Sequence, residues 1–212
     1  MYQQTNINMT AEDPLPSYPY KPLERSPMNT YTDSELTEKL LNREVIYEGK
    51  YPLWLDEHLL PDGRTIKRQH LHHPGGVAIL AVNEEGSIAF VKQYRYAIEQ
   101  VTEEIPAGKL DKIANEEPAH AANRELREET GCTASEIVPM GFIYSSPGVL
   151  DEKLYLFFAK NLSKSSQDLD DDEFINVEWL PADEVERRIV SGEMTDAKGI
   201  IAFARAKFSG LL

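Results

Sequence analysis

The sequence predicts an α/β fold with a mixed β-sheet between helices, and three observations lead there. Short alternating or wholly apolar stretches, the mark of strands, recur from residue 51 onward. Three other stretches, 116–130, 181–191 and 196–208, space their apolar residues at helical intervals. The two kinds mix without a regular βαβ alternation, so the sheet is not expected to be wholly parallel. With 212 residues, 41% of them apolar, the chain suffices for one domain with a real core plus an appendage.

The appendage comes first. Residues 1–33 space Pro14, Pro16, Pro19, Pro22 and Pro27 among Tyr, Asn, Ser and Thr with little apolar periodicity, which predicts a flexible or extended arm. A helix and hairpin region is expected over 34–75, with 51–60 and 65–71 as strands joined at Pro61-Asp62-Gly63. The run His72-His73-Pro74-Gly75-Gly76 then breaks the chain before the main domain, 76–212. There, 77–82 and 88–94 read as a strand pair joined by Asn83-Glu84-Glu85-Gly86, and 103–105 as a short strand. A helix over 116–130 follows, with Asn115 as its cap, Pro118 in its first turn and Gly131 as its left-handed stop. Strands are expected at 137–144, 153–159 and 174–180, and the helix at 181–191 carries Val185 and Ile189 at core spacing.

Composition excludes several functions. A net charge of −14 argues against nucleic acid as a partner, which would need a basic face. No apolar run is long enough to span a membrane, and no signal peptide opens the chain, so the expected compartment is the cytoplasm. The single cysteine, Cys132, excludes an internal disulfide and a zinc cluster. His72 and His73 match no metal spacing and are read as structural.

The chemistry sits in Arg124-Glu125-Leu126-Arg127-Glu128-Glu129-Thr130-Gly131. On a helix, Glu125, Glu128 and Glu129 stand at i, i+3 and i+4 and project from one face. Ala119, Ala122 and Leu126 define a neighbouring apolar stripe that docks on the sheet. Like charges packed this way destabilise a helix, whereas a hard cation such as Mg2+ binds to a few carboxylates, water and substrate phosphate. An ordinary solvated helix can also carry such a run, so the context matters.

Upstream lie Pro106-Ala107-Gly108 and Glu116, with seven residues between Glu116 and Arg124. Together these segments resemble the Nudix box, G-x5-E-x7-R-E-U-x-E-E-x-G-U, where U is bulky and apolar. Two departures stand out. Cys132 takes the last apolar place, and seven residues, not five, separate Gly108 from Glu116. The extra two lie in 109–115, ahead of the carboxylate face and beside Ala107. The resemblance runs from about Val45 to Phe208 and is closest to the ADP-ribose pyrophosphatase branch. It is carried there by Glu104-Ile105-Pro106-Ala107-Gly108-Lys109 and by Ser146-Pro147-Gly148, with Pro147 sixteen positions after Gly131.

The resemblance implies a Nudix-like α/β/α sandwich with a mixed β-sheet. It implies Mg2+-dependent hydrolysis, with Mn2+ as a substitute, of a nucleoside diphosphate linked to another group. The expected reaction is cleavage of the pyrophosphate bond of ADP-ribose to AMP and ribose 5-phosphate. Glu125, Glu128, Glu129 and the Ala107 carbonyl are the implied metal ligands. Gly108, Glu116, Arg124 and Gly131 are the implied structural positions of the box, with Glu116 and Arg124 as a pair. The acidic run 168–173 resembles the loop that supplies the base, and Glu173, then Asp172 and Asp170, are the candidates. Arg95 matches an arginine that contacts substrate phosphates, and Pro147 marks a wall beside the ribose end. Tyr51 and Trp54 are candidates for stacking on adenine, with simple packing as the alternative. A homodimer built largely from 47–71 is expected from the same branch. Two other readings stay open: another nucleotide-sugar pyrophosphatase such as a GDP-mannose hydrolase, and a non-catalytic ADP-ribose-binding module. An acidic calcium-binding protein is disfavoured, because no loop alternates oxygen ligands around a glycine hinge.

Overall fold

The computed structural model describes residues 32–212. The expected arm, 1–33, lies outside the described residues except for its last two positions. The chain divides into two compact units, Met1–Thr37 and Glu38–Leu212. Of the first, only 32–37 is described: a 3-10 turn, Asp33–Leu36, in which the Thr32 N–H donates to Glu35 Oε2 at 2.8 Å.

The second unit opens with an antiparallel sheet in the order β1 (Lys39–Tyr47), β2 (Leu53–Leu59), β3 (Thr65–Leu71). The expected hairpin is β2 and β3, closed by the Leu60 N–H on the Arg64 carbonyl at 2.8 Å. Strand β1 was not foreseen. Every residue of β1 is exposed, so no buried face imposes an alternation for the sequence to show.

The core is built on β4 (Gly76–Ala81), buried at every position. Ala78 and Leu80 face one cluster with Leu154, Leu156 and Phe158 of β9 (Lys153–Lys164) and with Ala202, Phe203 and Ala206 of a C-terminal helix. Val77, Ile79 and Ala81 face the opposite cluster, with Ala121, Ala122 and Leu126 of the carboxylate-bearing helix. Helices thus cover both faces, giving an α/β/α sandwich, and this explains the unbroken apolar run at 77–82. Truncating Leu126, fully buried beside the carboxylate face, would cost about 2–5 kcal/mol.

The sheet around β4 has the order β7 (Ala107–Lys109), β4, β9, β8 (Cys132–Tyr144), with β4 and β9 parallel. A second, antiparallel sheet has the order β10 (Ile175–Pro181), β5 (Ser87–Arg95), β6 (Gln100–Glu104). The expected pairing of 77–82 with 88–94 is therefore corrected. Only the bridge Val82–Ile88 joins them, because β7 and β9 occupy both edges of β4, and β10 and β6 both edges of β5.

Helix α1 (Pro118–Thr130) is capped at Glu117, not at Asn115. Asn115 has φ 57°, a left-handed turn conformation that asparagine tolerates, and Pro118 at the first helical position lacks the N–H that would have gone unbonded. The far end stops as expected, at Gly131 with φ 69° and its N–H on the Arg127 carbonyl at 2.9 Å. Helices α2 (Ala182–Ser191) and α3 (Ala197–Phe208) complete the fold, with Asp196 accepting the Gly199 N–H at 3.1 Å to cap α3. Among the described residues no helix is long and apolar enough to cross a membrane.

Candidate active site

The buried positions of α1 include Glu125, Glu128 and Glu129 as well as Ala121, Ala122 and Leu126. The helix therefore turns its carboxylates inward beside the apolar stripe, not out to water. Close approach of the box loop makes this possible. A side chain at Gly108 would overlap the Glu125 carboxylate, so glycine is what lets that carboxylate lie over β7.

Arg124 organises the helix side of the cluster. Its Nε and Nη2 bond Glu116 at 3.1 and 2.9 Å, while Nη1 bonds Glu125 at 2.6 Å and Glu128 at 2.9 Å. The pairing of Glu116 with Arg124 ties the loop before α1 to the helix. Lys112, from the longer loop 109–115, reaches Glu128 at 3.1 Å. Glu129 differs from its neighbours. Among the described residues, its carboxylate has one hydrogen bond, from the Ala107 N–H at 3.1 Å, and no ion pair. Burial pushes its pKa up to about 8, helped by the Glu125 and Glu173 charges and opposed by the Ala107 N–H and Lys198. Burial also raises Glu125, against the pull of Arg124.

Glu125 and Glu129 open on a cavity of about 750 Å³. Ala107 and Gly108 line it, as do Asp170, Asp172 and Glu173 from the segment between β9 and β10. Glu173 and Asp170 hold each other: the Asp170 N–H donates to Glu173 Oε2 at 3.2 Å, and the Glu173 N–H to the Asp170 carbonyl at 2.9 Å. Lys50, Tyr51, His73 and Lys109 also line the cavity. The Tyr51 ring stacks on His73 with centroids 5.2 Å apart, and the Lys109 ammonium lies 5.3 Å from its centre.

Arg95 also lines the wall, with Lys198 from the first turn of α3. Arg95 forks onto buried Glu104 with bonds of 2.6 and 2.7 Å, and Lys198 bonds both Glu104 and Asp196. Burial opposes the Glu104 charge, but Arg95, Lys198 and Thr102 outweigh it and draw the pKa down to about 2.

Two candidates stand away from this cavity in the single chain. Trp54 packs against the Arg43 guanidinium and the His72 ring, each 4.1 Å from it, and does not line the cavity. Pro147 does not line it either; Tyr144 and Ser145 form that wall, and the Pro147 turn is closed by Val149 and Leu150 N–H bonds to the Ser146 carbonyl at 3.0 and 2.9 Å. The expected wall beside the ribose end is therefore lined in this chain by Tyr144 and Ser145, and a substrate contact at Pro147 stays a proposal. Glu104, Lys112 and Lys198 were missed. Glu104 sits inside the quoted segment 104–109 and Lys112 inside the longer loop, so both were within reach; Lys198 gave no local signal.

Among the described residues, no three acidic or histidine side chains already surround one point as they would a bound ion. The donor set still suits a hard divalent cation. It offers clustered carboxylate oxygens, two of them opening on the cavity, and Glu129 is buried without a counterion. Arg124 and Lys112 supply part of the positive charge around Glu125 and Glu128.

Comparison with known proteins gives four results. The family model described as "NUDIX domain" matches residues 72–199. The chain is 43% identical over 166 residues, 77% of this chain and 89% of the relative, to a protein of Bacillus subtilis (strain 168) named "ADP-ribose pyrophosphatase". It is 40% identical over 168 residues, 78% of this chain and 90% of the relative, to a Bacillus methanolicus protein named "Methanol dehydrogenase activator". A solved structure described as "Crystal structure of ADP compounds hydrolase" superposes with a TM-score of 0.71 at 18% identity, covering 82% of this chain and 97% of that one; at this identity the likeness concerns the fold.

Proposed function

Since this chain belongs to the NUDIX domain family, we propose that it hydrolyses the pyrophosphate bond of ADP-ribose to AMP and ribose 5-phosphate, with Mg2+ as its cofactor and Mn2+ as a substitute. The observation that carries the reading is Glu129. A buried carboxylate without a counterion, at the wall of a cavity large enough for a nucleotide-sized ligand, is costly unless a cation arrives with the substrate.

The reaction forms a bond from a water oxygen to one phosphorus and breaks that phosphorus's bond to the bridging oxygen, so each half leaves as a phosphate monoester. Glu125, Glu128 and Glu129, with the Ala107 carbonyl, would hold the divalent ions. When bound, such ions neutralise the diphosphate and acidify water. Glu173 is the first candidate to take the water's remaining proton, ahead of Asp172 and Asp170, because all three line the cavity on a segment held to α1. Arg95, oriented by Glu104 through two of its five donors, keeps the others for substrate phosphate. Tyr51 offers a flat ring for the adenine.

We propose a homodimer through 47–71, with the N-terminal 1–33 as an arm and 34–75 as the dimerisation region before the hydrolase domain 76–212. Exposed Tyr47, Ile66 and Leu71 on this outer sheet support it, and so does Trp54, which lies outside its own chain's cavity and would serve the partner's.

The test compares kcat/KM for ADP-ribose, GDP-mannose and a nucleoside triphosphate at one Mg2+ concentration, with products resolved by chromatography. ADP-ribose is expected to be preferred and to release AMP. A preference for GDP-mannose, or binding of ADP-ribose without turnover in calorimetry, overturns the substrate assignment. Sedimentation showing a fully active monomer overturns the dimer.

A further inference from the structure

The segment between β9 and β10 meets α1 in two places. Its first half is pinned to the end of the helix. Gln167 Nε2 donates to the Glu129 carbonyl at 2.6 Å, the Asp168 N–H to the Glu128 carbonyl at 3.0 Å, and Arg127 reaches the Asp168 carboxylate at 3.3 Å. Its second half, 170–173, carries the candidate bases to the cavity. Among the described residues, that half has one polar side-chain tie to the rest of the protein. This is Lys112 Nζ, 2.9 Å from Asp170 Oδ1 and 3.1 Å from Glu128 Oε2. Asp170 in turn exchanges backbone and side-chain bonds with Glu173.

A line of contacts therefore runs from Glu128 through Lys112 and Asp170 to Glu173. Its middle member comes from the loop that is two residues longer than the box prescribes. We infer that Lys112 is a positioning residue with opposed effects: it orders the half-loop that bears the base, and it occupies at Glu128 the charge position for which a divalent cation must compete.

Both effects follow from one ammonium. Bridging Asp170 and Glu128 holds the tip of the loop against α1, and without it 170–173 is anchored only at its two ends. The same positive charge beside Glu128 repels an incoming cation and must be displaced or shared before Glu128 can serve as a ligand. Arg124 cannot replace the bridge, because its three nitrogens are spent on Glu116, Glu125 and Glu128.

The inference rests on the reading of Glu128 as a metal ligand and of the 170–173 loop as the source of the base. Its test therefore includes a measurement without substrate. Lys112→Met keeps the aliphatic stem and removes the charge; Lys112→Arg keeps the charge. Mn2+ is titrated into metal-free protein, following free Mn2+ by electron paramagnetic resonance, and kcat and KM for ADP-ribose are measured at saturating Mg2+. Lys112→Met is expected to bind Mn2+ about tenfold more tightly, yet turn over about tenfold more slowly with little change in KM, as for loss of one charge-assisted bond. Lys112→Arg should recover most of both values. A purely structural lysine would weaken metal binding and turnover together. That result, unchanged Mn2+ affinity, unchanged kcat, or failure of arginine to rescue overturns the inference. Melting curves establish folding, and Lys112→Gln replaces Lys112→Met if the latter is unfolded at the assay temperature. Should the unaltered protein leave ADP-ribose intact, the functional reading falls, while the Mn2+ titration still decides for Lys112.

Discussion

Two buried acids near the cavity, Glu129 in its wall and Glu104 behind the wall residues Arg95 and Lys198, are treated in opposite ways. Glu104 is surrounded by Arg95, Lys198 and Thr102, and its pKa falls to about 2. Glu129 receives one backbone N–H, and its pKa rises to about 8. Both side chains are largely withdrawn from water, so burial alone does not separate them. The supply of counterions does. A buried carboxylate that comes with its own cations holds the wall in shape; one left short is, in the proposed function, the place for a cation from outside. The same contrast recurs within α1, where Glu128 has Arg124 and Lys112 while Glu129 has neither.

The sharpest way to break this comparison is to neutralise each acid in turn. Glu129→Gln keeps the shape and the Ala107 bond, and should lower kcat by about 10³-fold or more, in keeping with several kcal/mol of charge stabilisation lost at the transition state. Without metal the same variant should melt higher than the unaltered protein at pH 8, by about 2–4 °C for each kcal/mol recovered. Glu104→Ala should do the reverse to the fold. It leaves Arg95 and Lys198 without their buried partner and should cost about 3–5 kcal/mol of stability in denaturant titrations. If Glu104→Ala is neutral and Glu129→Gln destabilising, the contrast is wrong.

Smaller effects sharpen the picture. Glu173→Gln should lower kcat by about 10²-fold, and its loss should exceed that of Asp172→Asn and Asp170→Asn; equal losses would move the base elsewhere. The two acids should also give opposite pH responses. Folded Glu129 keeps its proton up to about pH 8, whereas an unfolded glutamate releases it near 4.5. The folded chain thus binds more protons in that window, and metal-free stability falls as pH rises through it. Glu104 stays ionised in the folded chain down to about pH 2, so its contribution is present above about 4.5 and lost as pH falls towards 2. Melting curves of Glu129→Gln and of Glu104→Gln, each subtracted from the unaltered protein across pH, should show these two slopes with opposite signs.

What could be read from the sequence was what neighbours in the chain decide. The i, i+3, i+4 placement of Glu125, Glu128 and Glu129, the stop at Gly131, the β2–β3 hairpin and the buried run at 77–82 are local periodicities, and each appears in the structure within a few residues. The mixed sheet followed from the order of those elements. Pairing did not, because the choice of β9 over β5 as the partner of β4 depends on which edges other strands have already taken. Strand β1 left no trace, since an exposed strand carries no required alternation. The charge balance of the site was beyond the sequence for a related reason. Glu104 meets Lys198 from 94 positions away and Lys112 meets Asp170 from 58, so only the folded chain decides which acids are paired and which are not. Burial then multiplies the consequence, because a missing counterion matters little in water and a great deal in the interior.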